Sequence, residues 1–273
     1  MSTTSPGLRL GAHTFCRRER PALIGMVHVL PTPSSPSWKG SMADLVDRAV
    51  ADANALKAGG CDAIIVENMH DLPYERAAVH PATTAAMAVV TREVVQVGLP
   101  TGVQVLAGAN MQALGVAVAA GASFVRAEAF AYAHVADEGF LQSTSAELCR
   151  MRTYLGADVQ FFADVKKKHS AHALTSDLTL LDVAEGSAFC GADAVIVTGS
   201  STGKPASLDD VTEVHDAGLP VLVGSGIDAA SAKATGEVAD GLIVGTHFKE
   251  DGNWRNAVDA QRVRAVRDAL DAN

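Results

Sequence analysis

Eight short apolar runs punctuate the chain, at residues 22–30, 63–69, 102–106, 123–129, 159–165, 194–198, 221–224 and 241–245. Each gives way to polar or glycine-rich residues and then to a helical pattern. Strands that alternate with helices pair in parallel. A parallel sheet is buried on both faces, so its strands read as unbroken apolar runs. Eight such units in one chain predict an α/β fold of the closed (β/α)8 kind, a TIM barrel. Two of the runs are near copies: Gly60-Cys61-Asp62-Ala63-Ile64-Ile65-Val66 and Gly191-Ala192-Asp193-Ala194-Val195-Ile196-Val197. Val238-Ala239-Asp240-Gly241-Leu242-Ile243-Val244 is a looser third.

The helices between the runs carry their own start and stop signals. Met42, Leu45, Val46, Ala49, Ala53 and Leu56 recur at helical spacing. Ser41 with Asp44 reads as an N-terminal cap, and Gly59-Gly60 as a stop. Ser207 with Asp210 repeats the cap before Val211 and Val214, with Gly218 and Pro220 closing that element. Aromatics are only 5% of the chain, so the core is built from Ala, Val, Ile and Leu. No linker or charge block interrupts residues 21–273. The expectation is one barrel domain over 21–273, preceded by an N-terminal extension at 1–20.

Charge and segment patterns exclude several classes. The formal net charge of −9 opposes the counterion-release binding that dominates nucleic-acid affinity, and no basic stripe offsets it. Residues 1–20 are mixed and polar, without the apolar stretch of a signal peptide. No charge occurs between Glu93 and Arg126, but Pro100, Gln104, Asn110, Gln112 and several glycines break that stretch into strand, helix and strand. This argues against an integral membrane segment. The cysteines, Cys16, Cys61, Cys149 and Cys190, are far apart and read as reduced thiols. A cytoplasmic homo-oligomer is the corresponding expectation.

The chemistry is expected where strands end, because in such barrels the loops after the strands build the active site. The long connections at 31–40, 71–80 and 130–142 all follow strand ends. Side chains two apart on a strand share a face. Phe124, Arg126 and Glu128 therefore line up on the fourth strand, and Phe162, Asp164 and Lys166 on the fifth. Charges at the end of a buried strand are costly unless paired or functional, so they read either as an inter-strand salt bridge or as a site. His28 ends the first strand and reads as a general acid or base, a substrate ligand, or a satisfied histidine. Glu67 and Asn68 end the second and face opposite ways, so one of them reaches the lumen. Lys166, Lys167, Lys168 and His169 follow Asp164 directly, which offers a local anion site or a Schiff-base amine.

Glycine carries the phosphate argument. Gly224, Ser225 and Gly226 end the seventh strand, and Gly245 with Thr246 ends the eighth. Small residues there let backbone N–H groups approach an anion, and these two loops are a frequent phosphate site in barrels. Thr198 and Thr202, in the glycine-rich turn after the sixth strand, are further candidate donors. Asp164, Lys168, His169, His28 and Glu67 are thus the candidate catalytic residues. Asn68, Asn110, Arg126, Glu128, Thr198 and Thr202 are candidate substrate-binding residues. A divalent metal on the scattered histidines is the competing chemistry, but no pair is oriented by a shared strand or helix. No cofactor is therefore expected.

These motifs together resemble the BtpA family, which includes the SgcQ-type proteins. The matching residues include Ile24-Gly25-Met26-Val27-His28, Val66-Glu67-Asn68-Met69-His70-Asp71-Leu72-Pro73, Phe124-Val125-Arg126, Ala163-Asp164, Lys168-His169, Val223-Gly224-Ser225-Gly226 and Asp240-Gly241-Leu242-Ile243-Val244-Gly245-Thr246. Lys166-Lys167 and Glu128 depart from the family pattern. The resemblance implies a barrel related to phosphate-binding barrel enzymes. It also implies a rival role, since the family name comes from the accumulation of photosystem I. The leading expectation is an isomerase, lyase or aldolase-like enzyme acting on a phosphorylated sugar or ribosyl compound. The alternative is a non-catalytic assembly factor for a membrane complex.

Overall fold

In the computed structural model, residues 6–17, 19–166, 170–199 and 207–272 are described; Lys168, His169 and Thr202 lie outside them. Strands β1 (Leu8–Leu10) and β2 (His13–Phe15) form an antiparallel hairpin ahead of the barrel. The barrel begins with β3 (Ala22–His28), β4 (Ala63–Glu67), β5 (Thr101–Gln104) and β6 (Phe124–Ala127). The loop after β6 carries a hairpin, β7 (His134–Ala136) and β8 (Gly139–Leu141). Next come β9 (Gln160–Asp164) and the two-residue β10 (Ser170–Ala171), which pairs with β7. Strands β11 (Ala194–Thr198), β12 (Val221–Gly224) and β13 (Gly241–Val244) complete the circle. The ring order is β3-β4-β5-β6-β9-β11-β12-β13, with β13 paired back to β3, so the eight parallel strands close.

Helices α1 (Met42–Gly59), α2 (Pro81–Val95), α3 (Asn110–Ala120) and α4 (Ser145–Tyr154) wrap the first half. Helices α5 (Leu180–Phe189), α6 (Leu208–Val214), α7 (Ala232–Val238) and α8 (Ala260–Asp271) wrap the second. The Ser41 side chain accepts from the Asp44 N–H at 3.1 Å, and Gly60 stops α1 in the left-handed conformation at φ 100°. Ser207 caps α6 in the same way. The uncharged stretch after Glu93 resolves into the end of α2, then β5, α3 and β6. Among the described residues no helix is long and apolar enough to cross a membrane.

Strand alternation divides the core in two. Outward-facing side chains such as Val27, Val66, Val125 and Val195 pack under the helices. Inside the barrel, Ile24, Met26, Ile65, Phe124, Phe162 and Leu222 join Leu8 and Leu10 of the β1–β2 hairpin. Both leucines are fully buried, so the segment ahead of the barrel closes its N-terminal floor. Burying each stabilises by about 1.5–3 kcal/mol. Phe124 stacks on Phe162 with centroids 4.6 Å apart, and a Cβ on Gly102 would fall 2.1 Å from the Phe124 ring. Glycine is therefore what lets β5 pass this aromatic layer. Above it the apolar fill ends.

Candidate active site

The layer above the aromatic pair is polar, because the same alternation brings His28, Glu67, Gln104, Arg126 and Asp164 to the inner face at the C-terminal ends of β3, β4, β5, β6 and β9. His28 is in register with Glu67, and Glu67 with Gln104. All but Arg126 are buried, and Arg126 is nearly so. Glu67, rather than Asn68, is thus the residue of that pair that reaches the lumen.

Arg126 and Asp164 form a fork-like pair. The Arg126 Nε donates to both Asp164 oxygens at 3.3 and 3.1 Å, and Nη2 donates to Oδ1 at 3.0 Å. Burial on its own would lower the arginine, but Asp164 first, then Glu67 and Glu128, outweigh it and hold the guanidinium above its ordinary value. Arg126 Nη1 takes no part in the pair. The His28 Nε2 lies 3.8 Å from the Glu67 carboxylate, while Nδ1 sits 3.0 Å from the Trp254 carbonyl. Nδ1 therefore donates to that carbonyl, which leaves Nε2 as the ring atom that faces Glu67. Trp254 lies in the loop after β13, and its ring also packs on His70 at 4.8 Å. Burial, reinforced by Arg48, Lys249 and Arg255, pushes His70 down to about 4, so this imidazole is neutral.

Other expected residues brace the loops around this layer. The Asn68 Oδ1 accepts from the Leu106 N–H at 2.7 Å, and its Nδ2 donates to Asp71 at 3.0 Å. The Asn110 amide donates to the Glu128 carbonyl at 2.6 Å and to Thr144 at 2.9 Å. The Glu128 carboxylate accepts from the Gly108 N–H at 2.8 Å. The Thr198 hydroxyl donates to the Lys166 carbonyl at 2.9 Å. These side chains join the loops after β4, β5 and β6 on one side of the mouth and tie the end of β11 to the residue after β9 on the other. A small sheet of β10, β7 and β8 links the excursions after β6 and β9 above it.

At the far side of the mouth, Ser225 and Gly226 both take left-handed backbone, at φ 75° and 71°, directly after β12. Gly245 follows β13, and Thr246 opens a short 3-10 turn. A Cβ on Gly245 would lie 3.2 Å from the His28 Nε2, so this turn runs close beside the His28 ring. Among the described residues no group of three His, Cys, Asp or Glu side chains is arranged to hold a metal ion.

Gln104, Trp254 and Lys249 were not anticipated as partners of this region. Gln104 carried a readable signal, since Gly102-Val103-Gln104 obeys the same two-residue alternation that exposed Arg126 and Asp164. Trp254 lies in a loop with no periodicity. Lys249 is fully buried, with Nζ 3.1 Å from the Met26 carbonyl and 3.2 Å from Asp52. Burial, only partly offset by Asp52, pushes it down to about 8. It ties the loop after β13 to α1 on the outer side of β3.

The signature of the BtpA family matches residues 19–272. An uncharacterized mitochondrial protein of Caenorhabditis elegans is 41% identical over 252 residues, covering 89% of this chain and 91% of that protein. The photosystem I biogenesis protein BtpA of Synechocystis is 36% identical over 253 residues, covering 91% of this chain and 87% of that protein. Among solved structures, N-(5'-phosphoribosyl)anthranilate isomerase from Pyrococcus furiosus superposes with a TM-score of 0.57 at 13% identity, covering 93% of this chain and all of that one. That likeness bears on the fold alone.

Proposed function

The chain belongs to the BtpA family, and from that premise we propose that it is an isomerase or lyase, aldolase-like in its proton chemistry, acting on a phosphorylated sugar or ribosyl compound. One observation carries the reading: His28, paired with Glu67, sits beside Gly245, at the turn where a barrel of this kind would hold phosphate. Proton handling and anion anchoring are then side by side at the mouth of the barrel.

In this reading Glu67 and His28 move the proton. Both oxygens of Asp164 are engaged by Arg126, so taking up a proton there would break the pair. Asp164 therefore orients Arg126, whose Nη1 is left to meet a substrate oxygen. Lys168 and His169, just past β9, are assigned to substrate oxygens, and Ser225, Gly226, Gly245 and Thr246 to phosphate. The substrate is met in the cytoplasm and the barrel works as a homo-oligomer; the nearly fully exposed Tyr154 and Phe189 support self-association.

The family relative in Synechocystis, a photosystem I biogenesis protein, favours a second reading as a non-catalytic assembly factor. A thermal-shift screen with phosphorylated sugars and nucleotides separates the two, because a ligand that binds only the folded state raises the melting temperature. A saturable rise with a phosphosugar, absent with its unphosphorylated form, is the expected result. A flat response across the panel favours the assembly role.

A further inference from the structure

Gln104 is 2% exposed, and among the described residues its side-chain oxygen has no hydrogen-bond partner. It stands on β5 two residues beyond Gly102, whose inner face meets the Phe124 ring. Gln104 therefore points into the barrel, level with Glu67. A buried amide oxygen left without a donor is destabilising by the desolvation of that group, and most native proteins avoid it. The described neighbours do not supply the missing donor: Arg126 is turned to Asp164, and Glu67 is an acceptor when ionised.

We propose that Gln104 is a substrate-binding residue whose carboxamide oxygen accepts a hydrogen bond from a hydroxyl of the bound molecule. Glu67, Asp164 and the Gln104 oxygen accept in this layer, while Arg126 and the Gln104 amide nitrogen donate. That balance selects a polyhydroxylated chain at this depth, with its phosphate towards Gly226 and Gly245. The orientation rests on the phosphosugar reading above; the unpartnered Gln104 oxygen does not. Gln104 is then a residue kept for binding at the expense of ligand-free stability.

The test replaces Gln104 by Leu and, as a check on side-chain branching, by Met. Without ligand, at least one of the two variants is expected to melt at or above the wild-type temperature. A fall of several degrees in both variants would mean that the amide holds structure and would overturn the proposal. Ribose 5-phosphate and inorganic phosphate serve as the probes. The variants should bind ribose 5-phosphate roughly five- to tenfold more weakly, the loss of one neutral hydrogen bond, and inorganic phosphate as well as the wild type does. Undiminished ribose 5-phosphate binding would also overturn it. If neither probe raises the wild-type melting temperature, the phosphosugar reading fails for this probe pair, and the ligand-free melting alone decides the role of Gln104.

Discussion

Arg126 and Asp164 face each other from neighbouring strands at the top of the barrel, joined by three contacts of 3.0 to 3.3 Å that leave Nη1 of the arginine out of the pair. The carboxylate is 2% exposed at its side chain and the guanidinium 14%. The pair is thus buried deeply enough to matter for folding and open enough on one nitrogen to meet a ligand.

Asp164→Asn keeps the shape of the side chain but leaves the guanidinium against a neutral amide. Breaking a buried pair destabilises by roughly 3–5 kcal/mol, and Glu67 and Glu128 near the same guanidinium place the expected loss at the lower end. Urea titration at neutral pH measures it. A loss below about 1 kcal/mol, the range of a solvent-exposed pair, would show that water reaches these groups.

Glu67→Gln removes the carboxylate beside His28 without changing its volume. Once a substrate is found, turnover should fall by about two to four orders of magnitude, the usual contribution of general acid–base catalysis. Binding of the phosphorylated ligand should persist, because the turns after β12 and β13 are untouched. Wild-type turnover in this variant would remove Glu67 from the chemistry.

His70 gives the fold an acid-sensitive point. Its folded-state value of about 4 lies below the ordinary 6.5, so on acidification the unfolded chain takes up a proton first. Stability conferred by the neutral ring is complete above about pH 6.5 and is lost as pH falls towards 4, at up to about 1.4 kcal/mol per pH unit. Urea midpoints between pH 4 and 7 should therefore fall less steeply for His70→Gln than for the wild type. Parallel profiles would mean that the ring is free to protonate in the folded protein.

Gly102→Ala tests the aromatic floor of the site. The new methyl would sit 2.1 Å from the Phe124 ring, and overpacking of this kind destabilises by typically 1–3 kcal/mol. The melting temperature should drop and the near-ultraviolet circular dichroism should change as Phe124 shifts against Phe162. An unchanged spectrum and melting temperature would mean that the barrel interior has slack at this level.

Much of this architecture was legible because burial on both faces writes itself directly into sequence. Each of the eight apolar runs became a barrel strand, most of them shortened by one to three residues, with β5 starting one residue early. Arg126 and Asp164 were placed together by two-residue alternation alone. The choice between Glu67 and Asn68 was not legible, since alternation separates them without saying which face is inner; the partners Leu106 and Asp71, distant or in a loop, decide it. Asn110 opens α3 rather than ending a strand, so no alternation places it; its amide donates to the Glu128 carbonyl. Leu8 and Leu10 sat in a stretch too short and mixed to reveal that it enters the barrel. Trp254 approaches His28 through a backbone carbonyl, which no side-chain pattern can encode.

The plugged floor has a kinetic consequence. With Leu8 and Leu10 filling the axis at the N-terminal end, the polar layer opens in one direction only. Whatever enters past the rim must leave past it, so departing product and arriving substrate compete for the same doorway. Handing an intermediate straight through the barrel to a neighbouring protein is ruled out while the hairpin stays seated.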